Sequence, residues 1–164
     1  MKYINQHHIF AIFLTIAITN LIVACRGNSE AHQRMCEAEN LMTQHPDSSM
    51  AILSDIDREQ LRSDKERARY ALLTSMALDK NYIDTTTFDV IQPAIDYFLR
   101  KGTADEKLRT YYYQGRIYQN QKNNDLAMQS FMRGREYFEQ ASDTLMMANL
   151  LVAQGTILYQ YCPK

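Results

Sequence analysis

Ser75, Gly115 and Gly155 stand at a uniform interval of forty residues, and each lies inside a stretch whose apolar and small residues recur at helical spacing. Glycine within a helix costs about 1 kcal/mol relative to alanine, so its recurrence there needs a reason, and close helix-to-helix approach supplies one. Two further pairs fall between these positions: Ala94 with Phe98 recurs as Ala127 with Phe131. A chain carrying two interleaved patterns of this kind is confined to an all-α fold of helical hairpins, because each hairpin has a face that only a neighbouring hairpin can cover.

Punctuation agrees with that pattern. Three prolines and five glycines break 164 residues, too few for a fold of strands and turns. Ser63 with Glu66 and Thr103 with Glu106 match the capping box, in which hydroxyl and carboxylate satisfy the free amides of a first turn. Asp47 after Pro46 reads as an N-cap, and Gly102 stands where a helix end favours a left-handed residue. These signals predict seven helices near 30–44, 47–60, 64–81, 86–101, 104–121, 124–140 and 143–161, with Pro93 either kinking the fourth or marking a start close to Asp89. In the later helices the packed faces carry Leu108, Tyr111, Tyr112, Gly115 and Tyr118, then Ala127, Phe131, Gly134 and Phe138, then Ala148, Leu151, Val152, Gly155 and Tyr159.

Ahead of this region, Lys2 and an apolar run over 9–23 form a leader, ending in an abrupt polar turn after Ala24. The run is shorter than the roughly 20 apolar residues that comfortably span a bilayer, which favours a cleaved signal over a membrane helix. Leu21, Ile22, Val23, Ala24 and Cys25 resemble a bacterial lipobox. That resemblance implies lipidation of the Cys25 thiol, removal of 1–24 and a short tether over 25–30, and so a place in the cell envelope, held to a membrane by acyl chains such as palmitate. Two or more chains anchor stably where one does not. Arg26, Gly27, Asn28 and Ser29 include no aspartate, which in enterobacterial lipoproteins permits export to the outer membrane; inner and outer membranes both stay open. Of the other cysteines, Cys36 is expected as a small packed residue, and an elongated stack would not bring it to Cys162.

The pattern from Tyr111 through Gly115, Tyr118, Ala127 and Phe131 to Gly134 resembles the tetratricopeptide repeat. The interval of forty exceeds the usual 34, Glu139 replaces the terminal proline and Gln114 the leucine before glycine, so the family's superhelical curvature does not carry over. Pro46-Asp47-Ser48, Ala51-Ile52-Leu53, Arg67 to Leu73 and Asp79-Lys80-Asn81 are similar to the opening of a group of repeat-bearing lipoproteins from Gram-negative anaerobes. The resemblance implies a short solenoid of antiparallel hairpins over 31–164, its last helix left without a second member.

Little in the sequence points to catalysis. Phosphate-loop, nucleophile-elbow and HExxH motifs are lacking, and no histidine follows His45 to serve a Ser-His or Cys-His couple in the main body. His32 and His45 read as isolated, and paired carboxylates such as Asp55 with Asp57 and Asp105 with Glu106 read as solvated surface or helix ends, so neither a metal site nor a cofactor is expected. With 18 basic and 19 acidic side chains interleaved, the chain offers no stripe for nucleic acid. What remains is binding. Repeat domains hold peptides on the face of their first helices, where Arg109, Tyr113, Gln114 and Arg116 are the candidates, Tyr113 pointing away from the core that Tyr111, Tyr112 and Tyr118 enter. The expected function is a membrane-anchored, non-catalytic scaffold with a protein or peptide partner; the alternative is the shortened periplasmic sensory region of a membrane-bound signalling or transcriptional regulator. Pairing of two copies through the last helix is a third expectation, since Leu151, Val152 and Leu158 would otherwise stay half-exposed.

Overall fold

A computed structural model describes residues 30–161. The leader over 1–24, Cys25, the tether up to residue 29 and Cys162 lie outside the described residues. Within them all regular structure is helical: α1 spans 30–41, followed by α2 (Pro46–Ser54), a 3-10 turn (Arg58–Gln60), α3 (Asp64–Lys80), α4 (Gln92–Lys101), α5 (Ala104–Asn120), α6 (Asn124–Arg135) and α7 (Thr144–Tyr161).

Local chemistry sets most of the starts. Both capping boxes form: Ser63 Oγ accepts from the Glu66 amide while the Glu66 carboxylate accepts from Ser63 N, and Thr103 and Glu106 do the same for α5. Asn123 caps α6 by accepting from Leu126 N. Pro46 occupies the first turn of α2, where its missing N–H costs nothing, and the cap position falls to His45 rather than Asp47. Pro93 likewise sits in the first turn of α4, so this helix begins at Gln92 instead of near 86, and proline starts it without a kink.

Two helices end earlier than their composition suggests. The second stops at Ser54 rather than 60, because the Asp57 side chain takes the Glu59 amide and winds 58–60 into a 3-10 turn. The sixth stops at Arg135 rather than 140, continuing as turns in which Tyr137 N bonds Gly134 O and Phe138 N bonds Arg135 O. Gly102 is not left-handed: φ is −74° and ψ 160°, and a Cβ there would stand 2.7 Å from the Phe98 carbonyl oxygen. Among the described residues the left-handed ones are Tyr82 (φ 58°) and Lys122 (φ 62°), again forty apart. Each closes a helix in the same way, with Ile83 N reaching back to Leu78 O and Asn123 N to Tyr118 O.

Consecutive helices from α2 onward pack on one another, and α5 also touches α3 and α7. One continuous core results, with Met35, Leu53, Leu73, Ile91, Phe98, Leu108, Phe131, Leu150 and Ile157 fully enclosed. Since α5 packs on α3, α4, α6 and α7 and is also bonded to α1, it buries more than a single stripe. This corrects the expectation for Tyr113, which is only 3% exposed and stands edge-on to Tyr112 at 4.9 Å between ring centroids. Tyr112 is buried too, against Phe131, whereas Tyr111 and Tyr118 are half-buried, stacked on Tyr137 and edge-on to Phe88 respectively.

The small residues divide. A Cβ added at Gly115 would overlap the Phe131 ring, and one at Gly134 would come within 2.7 Å of Leu150 Cδ1, so both permit close approach as expected. Ser75 is buried and its hydroxyl donates to Ala71 O. Gly155 differs: nothing lies within 4 Å of where its Cβ would be. The close approach expected there is absent among the described residues.

Candidate functional site

The chemistry-bearing side chains gather where α1 lies across α3 and α5. On α1, His32, Met35, Cys36 and Glu39 share one face by the i, i+3, i+4, i+7 rule. Glu39 divides its carboxylate between two helices, accepting from Arg69 Nη2 of α3 at 2.8 Å and from Arg109 Nη1 of α5 at 2.9 Å. Arg109 Nε reaches on to Asp143, just ahead of α7, at 2.6 Å. A row of alternating charges thus crosses α3, α1, α5 and the start of α7.

Its electrostatics follow from partial enclosure. Burial alone would raise the Glu39 carboxyl, but hydrogen bonds and charges from Arg69 and Arg109 outweigh it and hold the group below its ordinary value. Burial acts to lower both arginines, and their carboxylate partners more than offset it. Burial pushes the Tyr112 phenol up to about 12 and that of Tyr113 well above its ordinary value, with Asp79 adding to each. Neither tyrosine offers a hydroxyl that ionises near neutrality.

The Arg69 guanidinium also donates to Cys36 Sγ (3.3 Å) and lies 3.2 Å from His32 Nδ1, while His32 Nε2 is 3.6 Å from the same sulfur. Arginine can only donate, so in this contact Nδ1 stands as the acceptor. Cys36 is therefore a half-exposed free thiol with polar neighbours rather than a packed apolar residue, and His32 is not isolated. Beside this group a cleft of about 450 Å³ opens. Met35, Leu72, Leu73 and Phe98 give it an apolar floor, and Lys65, Glu66, Glu106 and Arg109 line it with both signs of charge.

Of the four expected binding residues, the cleft contains only Arg109. Tyr113 is in the core, Arg116 Nε donates to Asp79 of α3 at 2.8 Å, and Gln114 accepts from Ser130 of α6 at 3.1 Å, so these three join helices together. Asp105 is more than a solvated helix end, for it accepts from Ser142 N, Ser142 Oγ and Asp143 N at 2.7 to 2.9 Å and ties α5 to the entry of α7. Glu39, Lys65 and Arg69 were not expected as binding residues from sequence, and His32 was read as isolated. The face shared by residues 32, 35, 36 and 39 of α1 was the available signal.

Among the described residues, no three His, Cys, Asp or Glu side chains converge as a metal site would require, and no helix is long and apolar enough to cross a membrane. No family model, curated protein or solved structure matches the chain.

Proposed function

We propose that the protein is a non-catalytic scaffold of the tetratricopeptide kind, held at a bacterial envelope membrane by a lipid on Cys25, and that the cleft among α1, α3 and α5 receives an extended segment of a protein partner. The observation that carries this reading is one way of closing a helix, repeated along the chain. Left-handed residues close α3 and α5 at the same forty-residue interval as Ser75 and Gly115. The side-chain amide just past each helix then reaches back 35 residues, Asn81 Nδ2 donating to Pro46 O at 2.8 Å and Gln121 Nε2 to Thr86 O at 2.7 Å. Such repetition supports reading α3 with α4, and α5 with α6, as stacked hairpins.

The cleft supports the partner's chemistry. An apolar floor with mixed charges at its rim suits a peptide that inserts an apolar side chain and carries both signs of charge beside it. It suits a phosphate backbone poorly, because Glu39, Glu66 and Glu106 stand among its cations.

Selection of the full chain against a displayed random-peptide library tests the cleft. Enriched peptides should lose at least tenfold in affinity, about 1.4 kcal/mol, on Lys65→Glu, an exposed rim change; undiminished binding would remove the cleft from the proposal. Palmitate labelling in cells tests the tether separately. Label should enter wild type and not Cys25→Ala, and equal labelling would sink the anchor.

A further inference from the structure

The helix α7 has two apolar faces, and the fold uses one. Met146, Leu150, Ala153 and Ile157 are buried against the rest of the molecule. On the opposite side Leu145, Ala148, Val152, Gly155 and Tyr159 follow one another at alternating spacings of three and four, which places them in a single line along the helix. All five are exposed, Val152 by 68% and Tyr159 by 72%, with Leu151 and Leu158 exposed beside them. Thr144–Tyr161 contains no Asp, Glu, Lys or Arg. A contiguous uncharged apolar strip running the length of a helix is the kind of exposed surface that marks an interaction site.

We infer that this strip is the contact between two copies of the chain, packed antiparallel about a two-fold axis that passes between residues 153 and 154 of α7. The assignment rests on self-complementarity rather than on exposure alone. A two-fold contact requires that residue i meet j and that j meet i. With the axis at that level, Val152 meets Gly155 of the second copy and Tyr159 meets its Ala148. A large side chain faces a small one in both of these layers, and each contact occurs twice. Nothing on either face repels, since neither carries charge.

Within one chain the fold already closes a helix pair in this way. The Phe131 ring of α6 sits where a Cβ on Gly115 would be, and Gly155 occupies the same register forty residues later with open space above it. At 1.5 Å per residue, α7 is about 27 Å long, and two such faces would bury roughly 1,200 Å² in total, the lower end of specific interfaces. The contact leaves the cleft among α1, α3 and α5 free, so this inference stands whether or not the cleft binds a peptide.

The test is light scattering on the full chain in a mild detergent, with detergent mass subtracted, at roughly 100 µM, well above the micromolar dissociation constants expected of a modest interface. Wild type should be a dimer. Val152→Lys, which puts a charge on the face without touching the core, should weaken association at least tenfold. Gly155→Leu should do the same by filling the space the second helix needs, while its thermal midpoint in the monomeric state is equal or higher, because leucine favours a helix and meets nothing in the single chain. Circular dichroism checks that both variants stay helical. A monomeric wild type would overturn the inference, and so would variants that associate as tightly as wild type, since the contact would then lie elsewhere.

Discussion

Gly115 in α5 and Gly155 in α7 occupy one register of the same pattern, yet their surroundings are opposite. The first lies under an aromatic ring in a helix touched by five others, and the second faces open space on a helix enclosed from one side only. Sequence periodicity reports where a small residue recurs, whereas the neighbour decides whether smallness is required. In α5 glycine permits a contact; in the single chain α7 retains only its conformational cost.

Three measurements would break or sharpen that contrast. The largest effect is expected at the ring itself: Phe131 is fully enclosed, so Phe131→Ala should destabilise by about 3–5 kcal/mol in urea unfolding. A loss below about 1 kcal/mol would mean that the α5 and α6 contact matters little. Next, alanine at the two glycines should act with opposite sign. Gly115→Ala forces the Phe131 ring aside and should cost about 1–3 kcal/mol, while Gly155→Ala should add up to about 1 kcal/mol in the monomer. Equal signs would erase the distinction between the two helices.

The smallest effect belongs to Glu39, which holds α1 to α5 and makes no contact with α7. Its carboxyl is below its ordinary 4.5 in the fold, where burial is outweighed by Arg69 and Arg109. A lowered carboxyl contributes stability that is present above about pH 4.5 and is lost as pH falls through the folded value. The thermal midpoint of wild type should therefore fall more steeply below pH 4.5 than that of Glu39→Gln. Parallel curves would assign acid sensitivity to other groups. Partial solvent exposure of all three side chains keeps the effect modest.

Much of the architecture was legible because it is written in short-range chemistry. Ser63 with Glu66 and Thr103 with Glu106 act within one turn, so pattern alone locates those helix starts. Gly115 and Gly134 were legible for another reason, their cost inside a helix demanding a close neighbour. The ends of α2 and α6 were not, since residues 55–60 and 136–140 have compositions that suit a helix and are diverted by one Asp57 side chain or by turns beneath stacked Tyr137. Three consecutive tyrosines defeat a single-stripe reading, because a helix packed on several sides buries adjacent positions, Tyr112 and Tyr113 alike. The cleft was least legible, for it depends on α1 meeting α5 across 70 residues through Glu39 and Arg109.

That meeting also has a mechanical side. Glu39 grips α3 and α5 with one carboxylate, and Arg109 extends the grip to Asp143. Asp105 adds its own bonds to Ser142 and Asp143, so the first and last helices are fastened through the same helix, and a pull on either is carried to α5.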